Sequence, residues 1–167
     1  MFKKIVLFAL VMFPVMAFAQ ESQKIAYVNS ADVITSMPEY KQMQDSLKRS
    51  EAEFQNELQS MSDEYTKKLS EYVSQQDTLN ESIKLRRQQD IENLRQRAEN
   101  FQQYAAQTQD ETQQKLFAPI QEKFQKTIND VGKENNFLYI IDSQVLRYVS
   151  PTATDATALI KKKLGIQ

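Results

Sequence analysis

Two stripes of apolar residues with helical spacing run along the middle of the chain. The first stripe consists of Tyr40, Met43, Leu47, Phe54, Leu58, Met61, Tyr65, Leu69 and Tyr72. The second stripe consists of Ile83, Ile91, Leu94, Ala98, Phe101, Ala105, Leu116, Ile120, Phe124, Ile128 and Val131. Steps of three and four residues, or sums of these, keep each stripe on one side of a helix. Because neither stripe is stable in water when bare, we predict an antiparallel helical hairpin over residues 38–131.

Residues that start or stop helices set the expected ends and tip of this hairpin. Pro38 suits the first turn of a helix, and Ser36 with Glu39 matches the capping box that precedes such a turn. The polar segment 75–80 breaks the phase of the stripes and is the predicted tip. Pro119 removes one backbone hydrogen bond inside the second helix and therefore predicts a bend.

Short apolar segments on both sides of the hairpin predict a small sheet. Segments 24–29, 137–141 and 145–149 are rich in β-branched and aromatic residues, which is typical of strands. The last two lie close together in sequence and are interpreted as a β-hairpin. A short helix is expected at 156–164. The predicted fold class is therefore mostly α with a small β base (α+β).

The base, residues 20–37 and 132–167, is expected to associate with other copies of the chain. Its strands are continuous apolar runs, and such runs indicate strands that are buried on both faces. One thin sheet of three short strands cannot cover both of its own faces. The candidate oligomerisation residues are Ile25, Tyr27, Leu138, Ile140, Val145 and Tyr148.

Residues 1–19 have the three parts of a secretory signal peptide. Two lysines form the positive end, Ile5–Phe13 the apolar centre, and Ala17-Phe18-Ala19 the cleavage site. The mature chain would begin near Gln20 and keep about 148 of the 167 residues. The apolar run is shorter than the roughly 20 residues that span a bilayer. We therefore expect cleavage and export rather than an uncleaved membrane anchor.

Composition argues against catalysis and against nucleic-acid binding. The chain has no histidine, no cysteine and only two glycines. The commonest general base, the commonest metal ligands and a phosphate-binding glycine loop are therefore missing. Removing the signal lowers the number of basic residues from 21 to 19, against 22 acidic residues, so nucleic acid is an unsuitable partner. We expect neither an enzyme nor a bound metal or cofactor.

The order of these segments resembles that of the periplasmic Skp (OmpH-like) chaperones. The resemblance rests on Lys24–Asn29, Leu138–Asp142, Val145–Tyr148 and Asp155–Thr157, placed around a long polar hairpin. It implies a homotrimer whose strands form a β-barrel-like body, with three helical arms around a cavity for unfolded outer-membrane proteins. Two features depart from the family: members are often strongly basic, whereas this chain is slightly acidic, and their usual Asp-Ile-Thr is Asp-Ala-Thr here.

The expected function is ATP-independent holding of unfolded proteins, with weak contacts along the arm. The candidate client-contact residues are Met61, Tyr104, Phe117, Lys84, Arg86 and Arg87. The apolar candidates have an alternative role in the seam between the two helices. The basic candidates have an alternative role on a solvated face, paired with acids of the first helix such as Glu57, Asp63 and Glu64. An envelope scaffold or spacer with one folded partner is the alternative function, and contact with a membrane surface or lipopolysaccharide is left open.

Overall fold

The computed structural model describes residues 24–166, so the predicted signal peptide and the expected mature N-terminus lie outside the described residues. The elements are β1 (Lys24–Val28), α1 (Ser30–Ser36), α2 (Pro38–Gln75), α3 (Glu81–Glu134), β2 (Phe137–Asp142), β3 (Thr154–Asp155) and α4 (Thr157–Leu164). Helices dominate this part of the chain, and its sheet has three short strands. The predicted fold class, a helical hairpin on a small β body, is confirmed.

Helices α2 and α3 pack along each other and form the hairpin arm. At about 1.5 Å per residue, the 38 residues of α2 extend about 57 Å and the 54 residues of α3 about 81 Å. A 3-10 turn at Gln76–Thr78 reverses the chain. Asn80 then caps α3, because its side chain accepts a hydrogen bond from the Ile83 amide at 2.9 Å. The longer helix α3 contains Pro119 and continues into the base.

The start of α2 differs from the predicted capping box. Ser36 is the last residue of α1, and its hydroxyl donates to the Asp32 carbonyl at 2.6 Å instead of capping α2. Met37 is the N-cap residue, and only 1% of its surface is exposed. Pro38 takes the first helical position, where its missing N–H breaks no hydrogen bond. Core packing of Met37 therefore holds this junction in place of a side-chain cap.

The sheet has the strand order β2-β1-β3, and both strand pairings are parallel. The predicted β-hairpin between segments 137–141 and 145–149 is therefore wrong. After β2, the Asp142 carboxylate accepts a hydrogen bond from the Gln144 amide at 2.9 Å, and a 3-10 turn leads the chain away from β2. The third strand comes later, at Thr154–Asp155, and pairs with the other edge of β1.

The core of the base lies on one face of this sheet. Its members, each at most 2% exposed, include Ala26, Val28, Val33, Met37, Val131 and Ile160. They come from β1 and from all four helices or the junctions between them, so the two ends of the described chain share one core. Ile25 occupies the alternate position in β1 and is 51% exposed. Helices thus cover one face of the sheet, whereas none of the described residues covers the Ile25 side completely.

Hydrogen bonds tie β3 and α4 to the first strand. The Ala156 amide donates to the Tyr27 carbonyl at 2.8 Å, and the Asn29 amide donates to the Thr157 hydroxyl at 3.0 Å. The Asp155 carboxylate accepts a hydrogen bond from the Thr157 amide at 2.8 Å and so satisfies the first amide of α4. The Asp-Ala-Thr segment therefore has a structural role in closing the base.

Candidate functional surfaces

The face of the sheet opposite the core carries exposed apolar side chains. The strand register places Ile25 beside Tyr139 and Tyr27 beside Ile141, and neighbours in register share one face. Ile25 is 51% exposed and Tyr139 59% exposed, while the other two are half-buried. Desolvation raises the pKa of the Tyr27 hydroxyl, and the nearby Asp155 carboxylate raises it further. We call Ile25, Tyr27, Tyr139 and Ile141 the outer sheet face.

Two predicted oligomerisation residues of β2 lie in different environments. Ile140 is in register with Ala26 and packs against the core of its own chain, so it lies on the side of the sheet opposite to Ile25. Leu138 lies where the register of the β1–β2 pair shifts, and it is 48% exposed. The sequence could not separate the two because a run of consecutive apolar residues does not show which side faces the core.

Val145 and Tyr148 follow β2 in a segment without strand structure. They are 71% and 78% exposed, the highest values among the large apolar side chains of the described residues. Both therefore add to the exposed apolar surface of the base, although neither belongs to the sheet as predicted.

The seam between α2 and α3 changes along the arm. Next to the base its apolar side chains are well buried, with Met43, Ile120 and Phe124 at 6%, 2% and 7% exposure, although a recess of about 350 Å³ lies beside Met43 and Ile120. Near the tip a polar contact crosses it, because the Arg87 guanidinium donates to the Gln75 side chain at 2.8 Å. Between the two, Leu94 is 3% exposed, so buried apolar contacts continue along the seam until the polar contact near the tip.

The three apolar client-contact candidates differ in exposure. Met61 is half-buried in the seam, and Phe117 packs against the core at the base end of the arm. Tyr104 is 59% exposed, and its ring lies 6.5 Å from that of Phe54 and 6.2 Å from that of Phe101, measured between centroids. Of the three, Tyr104 is the one whose side chain is mostly available to another molecule.

The basic candidates lie at the start of α3, and their pairing is local. Lys84 Nζ lies 2.9 Å from the Glu81 carboxylate of the same helix, and this hydrogen bond raises the pKa of Lys84. Glu64, one of the acids expected to pair with these residues, instead pairs with Lys68 of its own helix at 3.4 Å. Arg86 is exposed. The expected ion pairs between the two helices are thus replaced by pairs within each helix.

A recess of about 280 Å³ interrupts the seam in the middle of the arm. Its apolar lining consists of Leu58, Met61, Tyr65 and Ala98, and the small side chain of Ala98 leaves space among larger neighbours. A cavity of about 150 Å³ with an apolar lining is large enough to bind benzene. The recess has room for one apolar side chain of another molecule, but it is open to solvent and only half of its lining is apolar.

Residues 24–166 contain no group of three or more acidic side chains placed to hold a metal ion. No helix in this range is long and apolar enough to cross a membrane.

Comparison with known proteins identified one family and similar folds. The model of the family described as outer membrane protein (OmpH-like) matches residues 24–164. The fold is similar to a crystal structure from Caulobacter crescentus CB15, of a protein assigned as an outer membrane chaperone (OmpH-like). The TM-score is 0.76, with 14% sequence identity over 84% of this chain and 82% of that chain. No curated protein sequence matches this chain.

Proposed function

This chain belongs to the OmpH-like family, and on that premise we propose that it is an ATP-independent periplasmic chaperone that holds unfolded outer-membrane proteins. The family resemblance inferred from the sequence is confirmed. The observation that carries the proposal is the arm, which extends about 57 Å along α2 and is exposed along most of its length. The assignment of the similar Caulobacter protein as an outer membrane chaperone supports the same role.

The outer sheet face supports association into a homotrimer. At least half of the surface of Ile25 and of Tyr139 on this face is exposed. Covering apolar surface of this kind with another copy would stabilise the assembly. Strand β2 is an edge strand, so one side of its backbone can pair with a strand of another copy. Several arms on one base would enclose a space for a client, whereas a single arm would not.

The arm surface suits weak and reversible binding. Its large exposed apolar side chains are separated by polar residues and consist of Leu69, Val73, Ile83, Leu85 and Tyr104. Each of them contributes little alone, but a long unfolded chain contacts many at once. A client that folds into its membrane buries its own apolar side chains and no longer binds, so release needs no ATP.

Suppression of aggregation by the chain from Gln20 onward tests the holding function. A urea-denatured outer-membrane barrel is diluted into buffer without ATP, with and without a several-fold molar excess of the folded chain, and light scattering is recorded. We expect scattering to fall as the chain is added. Because the chain contains no tryptophan, tryptophan fluorescence reports on the client alone. Unchanged scattering would refute the holding function.

Crosslinking in the native envelope distinguishes this function from the scaffold alternative. We expect capture of many different barrel proteins, since holding depends on exposed apolar segments rather than on one surface. Capture of a single folded partner in fixed stoichiometry would instead favour the scaffold. The polar contact across the seam at Arg87 and Gln75 already disfavours a rigid spacer, because water can replace it at little cost.

A further inference from the structure

The two sides of the outer arm differ in charge along α2. Residues three, four or seven positions apart share one side of a helix. One side carries Gln55, Gln59, Ser62, Thr66, Leu69 and Val73, none of which is charged. The other side carries Glu53, Glu57, Ser60, Glu64, Lys67 and Glu71, of which only serine is uncharged. All of these side chains are exposed, so the difference is one of surface chemistry.

Helix α3 adds one ion-paired cluster to the uncharged side of α2. The 280 Å³ recess is lined by Ser62 together with Arg95, Glu99 and Gln102, which places these α3 residues beside the uncharged stripe. Arg95 is bonded to Glu99 and, at 2.6 Å, to Glu92, and these carboxylates raise the pKa of Arg95. The Arg95 charge is therefore paired, and the cluster of one guanidinium and two carboxylates keeps one net negative charge. We call the uncharged α2 stripe and these α3 residues the charge-poor face.

The other side of the hairpin has a recess of different character. It measures about 190 Å³ and is lined by Lys68, Glu71, Arg87, Asp90 and Ile91. Four of these five residues are charged, whereas half of the lining of the larger recess is apolar. Arg97 and Tyr104 follow Asp90 at steps of seven and so share its side of α3. We call this side, with the charged α2 stripe, the charged face.

We propose that the charge-poor face is the surface of the arm that contacts the client. Its occupant is an unfolded segment rich in apolar and uncharged polar residues, with one apolar side chain in the recess of about 280 Å³. The inference rests on the proposed holding function and adds which side of the arm performs it. Met61, Leu69 and Val73 then contact the client, whereas the exposed Tyr104 lies on the opposite side.

Desolvation is the physical reason for this preference. A client segment that covers the arm removes water from it, and an unpaired charge loses more free energy in this process than a neutral polar group. Glutamine side chains of the charge-poor face can both donate to and accept from the backbone of the client. Leu69 and Val73 are 37% and 56% exposed, and burying them under the client stabilises the complex. Glu53 and Glu57 on the charged face would lose their hydration and gain no cation from an uncharged segment.

Fluorescent labels on single cysteines compare the two faces directly. The chain has no cysteine, so Thr66→Cys and Lys67→Cys each give one labelling site, on adjacent residues of opposite faces. Each variant carries an environment-sensitive dye and receives the urea-denatured barrel protein. We expect a blue shift and a gain of intensity for the label at Thr66 and little change for the label at Lys67. Equal changes, or a larger change at Lys67, would overturn the proposal.

Two double variants with equal added charge test how much each face contributes to client binding. Leu69→Lys with Val73→Lys alters the charge-poor face, and Ser60→Lys with Asn100→Lys alters the charged face; all four residues are exposed. We expect the first pair to weaken client binding about tenfold and the second pair less than about twofold. Circular dichroism checks that both retain the helical fold.

The outcomes separate this inference from the proposed function. A wild-type chain that does not bind the unfolded barrel refutes the holding function itself. If the wild-type chain binds and both double variants are weakened equally, only the assignment of the face is refuted. The same holds if the Ser60 and Asn100 variant is weakened more.

Discussion

The base and the arm bury their apolar residues to different extents. In the base, Val33 and Ile160 are completely buried, at 0% exposure. In the middle of the arm, Leu94 is 3% exposed, but Leu58 and Met61 stay partly exposed. Since buried apolar area is the main source of folding free energy, most of the stability should reside in the base. The arm is held by weaker contacts and can adjust with little loss of stability.

This difference suits a protein whose clients vary in shape. Beyond Met43 and Ile120, the Gln109 side chain donates to the Leu47 carbonyl at 3.2 Å, a polar contact between the helices. Water can replace such a contact at small cost, so the two helices can separate slightly there. We expect the arms to adapt to a client while the base keeps the copies together.

The largest expected effect is loss of the assembly when the outer sheet face is charged. Ile25→Asp with Tyr139→Asp should weaken association by more than about a hundredfold, because two buried apolar contacts become unpaired charges. Sedimentation velocity would show a monomer for this variant and a trimer for the wild type. Leu85→Asp is the control on the arm, where the side chain is 66% exposed, and it should leave the mass unchanged.

Two results would contradict this prediction. An unchanged mass of the Ile25 and Tyr139 double variant would exclude the outer sheet face as the interface. A folded monomer of the wild-type chain would exclude the homotrimer itself.

A smaller effect should distinguish the packing of the base from that of the arm. Ile160→Ala in the base should lower the free energy of unfolding by about 2–5 kcal/mol, since a completely buried side chain leaves a cavity. Leu58→Ala in the arm should lower it by about 1 kcal/mol, because this residue is already partly exposed beside a recess. Urea unfolding followed by circular dichroism, at one protomer concentration, measures both. Equal losses would show that base and arm are equally well packed.

The helices could be predicted from the sequence, but the strand pairing could not. The spacing of the stripes depends on residues three or four positions apart, so it predicts α2 and α3 from local information. The sheet depends on distant residues, since Lys24 pairs with Phe137. The β-hairpin prediction failed because the Asp142 carboxylate binds the Gln144 amide and starts a 3-10 turn, an effect that apolar content does not reveal.

The candidate surfaces were predicted in part. Ile25 and Ile140 were both predicted to contact other copies, yet Ile25 lies on the outer sheet face and Ile140 packs against the core, because strand phase within an apolar run is not visible in the sequence. The charge-poor face was missed although its signal was present. Leu69 was read as part of the apolar stripe, whereas its spacing from Ser62 and Val73 places it on an uncharged flank.

The smallest expected effect concerns the junction of arm and base, where Glu39 of α2 is bonded to Lys123 of α3. This hydrogen bond lowers the pKa of the Glu39 carboxyl below its usual value of 4.5. A carboxyl with a lowered folded-state pKa stabilises the fold above its unfolded pKa, and this contribution is lost as the pH falls through the folded pKa. Because 38% of the Glu39 side chain and 47% of that of Lys123 are exposed, the contribution should be below about 1 kcal/mol.

Glu39→Gln should therefore lower the urea midpoint slightly at neutral pH, and its difference from the wild type should shrink as the pH falls through the folded-state pKa of Glu39. Glu81→Gln is a matched control, because Glu81 pairs with Lys84 within one helix near the tip. Loss of that pair does not separate the arm from the base, so its effect on the midpoint should be smaller still. If the difference between Glu39→Gln and the wild type stayed constant as the pH was lowered, then packing of the Glu39 side chain, rather than its charge, would hold the junction.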